Sequence, residues 1–212
     1  MEHFKRRLAI SVGLLAAFIV WTAAVRCVDV QATGPLDSQV GFARLNRFFH
    51  RLTGVHFTLY EITDWLSLIP AALCMGFGIL GLCQWIRRRS LLNVDRSLLV
   101  LGVCYAVVMA VYLLFEIRIV NRRPVLIDGV LEASYPSSTT MLVLCVMSTA
   151  MMQLSSRIRS QKLRKITLSL MTAFTAFMVM ARLLSGVHWL TDIIGGTPIS
   201  AALVMMYAAF GA

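Results

Sequence analysis

The sequence predicts an all-α integral membrane protein built as a bundle of six transmembrane helices. Hydrophobic residues make up 58% of the 212-residue chain and charged residues only 14%, whereas soluble domains carry about 25% charged residues. The mean hydropathy is +0.78. The apolar residues also lie in separate runs, most of them near the length of about 20 residues that a helix needs to cross a bilayer.

Six apolar runs mark the predicted spans. The first follows a basic N-terminal segment, and its length and the lack of a small-residue cleavage site favour a retained helix over a signal peptide. The sequence contains neither an internal repeat nor a low-complexity segment, so residues 1–212 are predicted to form a single membrane-embedded domain. The runs cover residues 8–25, 65–86, 97–115, 135–154, 166–184 and 192–212.

An amphipathic stretch at residues 40–53 lies in the longest polar segment between the first two spans. Its apolar residues recur at roughly helical spacing, with Arg44, Arg47 and Arg51 on the opposite side. This pattern is typical of a helix that lies along the membrane interface.

The positions of the basic residues predict the orientation of the chain. A net charge of +10 would indicate a nucleic-acid partner in a soluble protein, but in a membrane protein the placement of each charge matters more. Twelve of the 20 Lys and Arg fall in the N-terminal segment and in the loops on its side. We therefore expect a multi-pass protein of the cell membrane with both termini in the cytoplasm and no nucleic-acid partner.

Three segments meet at the opposite, outer face under this topology. They are NRRP at 121–124, YPSSTT at 135–140 and ARLLSGVHWLTD at 181–192. Together they offer arginines, hydroxyls, a histidine and an aspartate, which are the components of a phosphate site. His188 and Asp192 are four residues apart, so on a helix they would share a face. A carboxylate bound to one imidazole nitrogen leaves the other nitrogen able to attack.

These segments resemble the three motifs of the type 2 phosphatidic acid phosphatase superfamily, which also includes vanadium haloperoxidases. The family pattern reads K-x6-R-P, then P-S-G-H, then S-R-x5-H-x3-D. The third motif is present as A-R-x5-H-x3-D, with Ala181 in place of the serine. The resemblance covers about residues 117–192 by motif and the six-helix layout by topology. It implies a membrane lipid phosphatase.

The resemblance implies a role for each matching residue. Arg123 and Arg182 would bind phosphate oxygens. Ser137 and the backbone N–H of Ser138 would assist them at the start of the fourth span, where a helix N-terminus favours an anion.

The same resemblance implies the chemistry. His188 would attack phosphorus and form a phosphohistidine, and Asp192 would orient it. The implied partners are the lipid bilayer and a membrane lipid phosphate or diphosphate, such as an isoprenyl diphosphate or phosphatidic acid. No cofactor is expected, and no metal either, because no cluster of carboxylates or histidines has ligand spacing. The identity of the lipid and the oligomeric state stay open.

Besides Ala181 and Ser138, which replace a serine and a glycine, two residues depart from the family pattern at positions that supply a proton or a charge. Thr139 stands where the family has its general-acid histidine, and Glu116 stands where it has a lysine. One interpretation is a diphosphate substrate, whose leaving phosphate has a pKa of about 6 and needs less help from an acid. In another, Glu116 or Glu132 donates the proton. In a third, the chain binds a lipid phosphate and hydrolyses it poorly. Transfer of the phosphate to an acceptor alcohol is a further alternative, and Arg122 is a secondary candidate for contact with substrate.

Overall fold

The computed structural model describes residues 1–211 as a helical bundle with one small antiparallel sheet. The strands are β1 (Gln31–Ala32) and β2 (Gln39–Val40). The helices are α1 (Glu2–Cys27), α2 (Ala43–Thr53), α3 (Phe57–Leu66), α4 (Leu68–Arg88), α5 (Arg96–Ile117), α6 (Ser138–Arg157), α7 (Gln161–Leu184) and α8 (Leu190–Phe210).

Within residues 1–211, six helical segments are long and apolar enough to cross a membrane. They are α1, the pair α3 and α4 taken together (Phe57–Arg88), α5, α6, α7 and α8. The prediction of an all-α bundle of six transmembrane helices is therefore confirmed. Residue 212, which the predicted sixth span included, lies outside the described residues.

Several helix ends differ from the predicted span boundaries, and at two of them a serine side chain caps the helix. The second span begins earlier than residue 65, because α3 precedes α4 and the two meet at Ser67. Helix α6, which corresponds to the fourth predicted span, begins only after Pro136, where the Ser137 hydroxyl accepts the backbone N–H of Thr140 at 3.4 Å. Helix α7, which corresponds to the fifth predicted span, begins at Gln161, earlier than residue 166, because Ser160 caps it.

Helices α6 and α8 form the centre of the bundle. About half of each apolar stretch is buried, 56% in α6 and 50% in α8. Helix α1 packs along α8, and α6 packs against both α7 and α8. Tyr135, just before α6, lies against Gly195, where a Cβ would come within 2.4 Å of its ring. Because Gly195 has no side chain, the segment before α6 can pack this closely against α8.

Both ends of the described chain lie on one side of the bundle. The rings of Phe4 and Phe210 are 5.2 Å apart, and the Arg7 guanidinium donates to the Ala208 carbonyl. Asp95 on this side pairs with Arg88 at 3.0 Å and with Arg157 at 3.7 Å. The starts of α6 and α8 and the end of α7 lie at the opposite end.

Helix α2 occupies residues 43–53 of the amphipathic stretch and packs against the protein itself. The Asn46 amide nitrogen donates to the Gly41 carbonyl at 2.8 Å and to the Thr191 hydroxyl at 3.0 Å. Asn46 is fully buried. Helix α2 is thereby fixed to the beginning of α8.

Candidate active site

The loop between α5 and α6 folds back on itself and brings the first two motif segments together. The backbone N–H of Arg123 donates to the backbone carbonyl of Glu132 at 3.1 Å, and the backbone N–H of Ser134 donates to that of Asn121 at 3.0 Å. The Ser137 N–H then donates to the backbone carbonyl of Asp192 at 3.2 Å. These bonds place the first two motifs beside the start of α8, where the third motif ends.

His188 is buried in the turn between α7 and α8, with one ring nitrogen bonded and the other without a partner. Its Nδ1 lies 3.2 Å from the Ser134 carbonyl oxygen and must donate, since a carbonyl only accepts. Its Nε2 has no hydrogen-bond partner. Burial lowers the pKa of His188 to about 4, with Asp192 opposing this effect and the nearby arginines adding to it. Above that pH the imidazole is neutral, and Nε2 carries the lone pair that a nucleophile needs.

Asp192 lies beside His188, and its carboxylate accepts hydrogen bonds from three groups, one of them the Asn121 amide at 3.5 Å from Oδ1. Its Oδ2 accepts the Ser134 hydroxyl at 2.5 Å and the Trp189 N–H at 2.9 Å, and Oδ2 lies 3.7 Å from His188 Nδ1. The two residues do not share one helix, because α8 begins only at Leu190. Asp192 caps that helix by accepting the Trp189 N–H, and the cap turns His188 back toward the carboxylate.

Arg182, at the end of α7, is 2% exposed and contacts α3. Its Nη1 donates to the Thr63 hydroxyl at 3.0 Å and lies 3.4 Å from the Tyr60 carbonyl. Its Nη2 lies 3.6 Å from Asp64 Oδ1. Its Nε has no partner.

Arg123 is 7% exposed and shares a contact with Arg182, the aromatic ring of Tyr60. Its Nε lies 2.9 Å from Glu132 Oε2, an ion pair whose alignment falls short of a hydrogen bond. Its Nη1 has no partner. Both guanidinium carbons lie over the Tyr60 ring, at 4.5 Å from its centre for Arg182 and 5.7 Å for Arg123.

The unpartnered buried groups of the protein concentrate at this site. Six buried side-chain nitrogen or oxygen atoms in residues 1–211 lack a hydrogen-bond partner, and four of them belong to His188, Arg123 and Arg182. Of these four, Arg123 Nε has the ion pair with Glu132, and the other three have no partner of either kind. Leaving such groups unpaired is costly, about 1–3 kcal/mol each and more for charged groups. The free N–H groups of the two arginines can bind a compact anion that supplies several acceptor oxygens, and the Nε2 lone pair of His188 is an acceptor that such an anion leaves free.

The other predicted residues take different places around this centre. Ser138 and Glu116 line one small cavity with His188. The Ser137 hydroxyl accepts both the N–H and the hydroxyl of Thr140 and so caps α6. Thr139 is buried in the first turn of α6 and does not line that cavity. Arg122 donates to the Leu131 carbonyl at 2.8 Å, a hydrogen bond within the loop between α5 and α6.

Several residues of the site are absent from the sequence predictions. Tyr60, Thr63 and Asp64 contact Arg182 from α3, and Ser134 and Asn121 surround Asp192. The spacing of the three α3 residues, i, i+3 and i+4, was the one signal in the sequence, because it places them on a single helix face. Within residues 1–211, no group of three or more His, Cys, Asp or Glu residues is placed to hold a metal ion.

Gly186 fixes the turn that carries His188. Its φ of +69° is in the left-handed region, and a Cβ there would come within 2.0 Å of the Gly54 carbonyl oxygen. The His56 N–H also donates to the Ser185 carbonyl at 2.9 Å. The loop between α2 and α3 therefore packs directly on the turn between α7 and α8.

Replacing Gly186 by alanine is expected to destabilise the fold by about 2 kcal/mol or more, since it adds a clash with backbone to an unfavourable φ. Thermal unfolding of the purified variant in detergent measures this effect. Gly129→Ala is the matched control, because Gly129 has a φ of +78° but an added Cβ meets nothing within 4 Å. Equal losses in the two variants would contradict the close packing at Gly186.

Comparison with known proteins identifies the family. A family model described as the PAP2 superfamily matches residues 98–211, more than half of the chain and all three motif segments. The solved structure titled "Crystal structure of the first transmembrane PAP2 type phosphatidylglycerolphosphate phosphatase from Bacillus subtilis" is similar over 94% of each chain, with a TM-score of 0.67 and 17% identity. At that identity the likeness shows a shared fold. A comparison with curated proteins found no match. The resemblance predicted from the motifs is confirmed, and this multi-pass membrane protein belongs to the PAP2 superfamily.

Proposed function

We propose that this protein is a membrane lipid phosphatase that acts through a phosphohistidine intermediate. One observation carries the proposal: the unpartnered atoms of His188, Arg123 and Arg182 are buried together at one end of the bundle. A phosphate group has the size, charge and acceptor oxygens to satisfy the two arginines while its phosphorus faces His188 Nε2. The PAP2 family match over residues 98–211 supports the same reaction class.

The proposed reaction has two displacement steps. In the first, the Nε2 lone pair of His188 attacks phosphorus, the bond from phosphorus to the leaving oxygen breaks, and that oxygen takes a proton. The Nδ1–H bond to the Ser134 carbonyl and the nearby Asp192 carboxylate stabilise the imidazole as its positive charge develops. In the second, water attacks phosphorus, the P–N bond breaks, and inorganic phosphate leaves with neutral His188 restored.

The source of the leaving-group proton separates two substrate classes. Thr139 cannot act as an acid near neutral pH, and it does not line the cavity that contains His188. A lipid diphosphate releases a phosphate, which needs little protonation. A monoester such as phosphatidic acid releases an alcohol, and for that substrate we propose Glu116 as the donor, because it lines the same cavity as His188.

A lipid-phosphate-binding protein with little turnover is the second candidate. The observations that favour it are Thr139 in place of the acid and the carboxylates of Glu132 and Asp64, which already pair with Arg123 and Arg182. These carboxylates reduce the positive charge available to a highly charged substrate. Transfer of phosphate from His188 to an acceptor alcohol, which would make the protein a lipid phosphotransferase, uses the same first step.

We also propose that the site faces outward and that both termini are cytoplasmic. Basic residues concentrate at the end of the bundle where Phe4 and Phe210 meet, in the segments around 87–96 and 157–165. The positive-inside rule assigns that end to the cytoplasm. His188 and its neighbours lie at the other end, which then faces the outer leaflet.

The test is phosphate release by purified protein in detergent without added metal, with an isoprenyl diphosphate and with phosphatidic acid. We expect release from the diphosphate that orthovanadate inhibits, because vanadate mimics the pentacoordinate phosphorus. Release from phosphatidic acid that is lost in Glu116→Gln would assign the proton donor. Vanadate binding without release from either lipid would favour the binding role, and release that vanadate does not affect would contradict the proposed site.

A further inference from the structure

Helix α3 contributes one face to the phosphate site, although it lies outside the residues 98–211 that the family model matches. Tyr60, Thr63 and Asp64 occupy that face at positions i, i+3 and i+4. We call these three residues the α3 clamp. All three contact Arg182, which is separated from them by more than 110 positions in the chain.

The hydrogen bonds of the clamp occupy specific edges of the Arg182 guanidinium. Fully buried Thr63 donates its hydroxyl proton to the Tyr60 carbonyl at 2.8 Å, which leaves an oxygen lone pair for Arg182 Nη1 at 3.0 Å. Asp64 lies 3.6 Å from Nη2. Both η nitrogens are thus engaged by α3, and Nε is the unpartnered group that remains.

The Tyr60 ring contacts both phosphate-site arginines. The guanidinium carbons of Arg182 and Arg123 lie 4.5 Å and 5.7 Å from its centre. Two buried cations at one site repel each other, and the negative face of an aromatic ring attracts both. Tyr60 therefore stabilises the two positively charged guanidinium groups in one site before a substrate phosphate binds.

We propose that Tyr60, Thr63 and Asp64 are positioning residues that hold Arg182, and through Tyr60 also Arg123, in the geometry that the transition state requires. This inference rests on the proposed phosphatase function. None of the three needs to touch the substrate, since each acts through a guanidinium. Preorganised donors of this kind stabilise charge in the transition state more than in the bound substrate.

The experiment compares two pairs of matched variants in the full-length protein. Thr63→Val removes the oxygen that accepts from Arg182 and keeps the shape, whereas Thr63→Ser keeps the oxygen. Tyr60→Leu removes the ring, whereas Tyr60→Phe keeps it. For each variant, kcat, KM, the inhibition constant of orthovanadate and the thermal midpoint are measured in detergent.

Thr63→Val and Tyr60→Leu are each expected to lower kcat and to raise the vanadate inhibition constant by about tenfold, with KM changed by less than about threefold. Thr63→Ser and Tyr60→Phe should stay near wild type in all three quantities. The vanadate constant separates positioning from folding. A smaller fraction of folded protein lowers kcat but leaves the inhibition constant of the remaining enzyme unchanged.

Failure of this inference differs from failure of the proposed function. If the wild type hydrolyses lipid phosphate and vanadate inhibits Thr63→Val and Tyr60→Leu as strongly as wild type, the clamp proposal is wrong and the phosphatase stands. If the wild type shows no turnover, stabilisation by vanadate against heat replaces the inhibition constant as the measure of binding. A wild type that neither turns over nor binds vanadate overturns both proposals.

Discussion

Replacing His188 by alanine is expected to reduce phosphate release by about 10⁴-fold or more, since loss of a covalent nucleophile removes the reaction path itself. No second imidazole is placed to substitute, because His50 bonds to the Gly186 carbonyl and His56 to the Thr53 carbonyl. The fold should persist, because the substitution removes one hydrogen bond, from Nδ1 to the Ser134 carbonyl, and Nε2 has no partner to lose. The measurement is phosphate release with the substrate that the wild type hydrolyses fastest.

His3→Ala is the control for this experiment, because His3 is exposed at the opposite end of the bundle. It should release phosphate at the wild-type rate. A second check uses denatured protein after brief mixing with labelled substrate. Wild type should retain acid-labile, base-stable phosphate, and His188→Ala should retain none. Release by His188→Ala within tenfold of wild type would show that the reaction does not pass through phosphohistidine.

The fold was predictable because lipid solvent leaves a strong pattern in the sequence. Runs of about 20 apolar residues are rare in soluble domains, and each run here became a helix. The ends of the helices were less predictable. Helix α3 carries Tyr60, Thr63 and Asp64, and in the sequence alone these polar residues resemble a loop that precedes the span. Only the structure reveals that they contact Arg182.

The candidate site was predictable only in part, for a physical reason. The three motifs supplied His188, Asp192, Arg123 and Arg182. The structure places His188 beside Asp192 and both arginines over the Tyr60 ring. The groups that orient them come from distant positions or from backbone atoms. The Ser134 carbonyl, which accepts from His188, is invisible in a residue pattern because every residue has a carbonyl.

The relation between His188 and Asp192 shows the limit of reasoning from spacing alone. A helical spacing of four residues predicted proximity, and the two side chains are indeed 3.7 Å apart at their nearest polar atoms. The backbone reaches that proximity by another route. Gly186 adopts a left-handed φ, and Asp192 caps the helix that begins after His188. The contact was predicted correctly from a local structure that does not occur.

Replacing Arg182 by alanine is expected to lower kcat/KM by about 10³-fold, the effect of removing a buried charged donor from a preorganised anion site. Arg182→Lys should recover only part of the loss, because lysine keeps the charge but lacks the planar fork that reaches Thr63 and the phosphate together. Kinetics with the preferred lipid, together with vanadate inhibition, measure both variants.

The alanine variant should still fold, which makes the kinetic result interpretable. Asp64, the ionic partner of Arg182, has 60% of its side-chain surface exposed, so water can replace the lost guanidinium. Arg164→Ala, at the opposite end of the bundle, controls for a general effect of removing a positive charge. Activity of Arg182→Ala within tenfold of wild type would remove Arg182 from the phosphate site. Since Thr63 and Asp64 act through this guanidinium alone, the same result would leave these two residues with a structural role only.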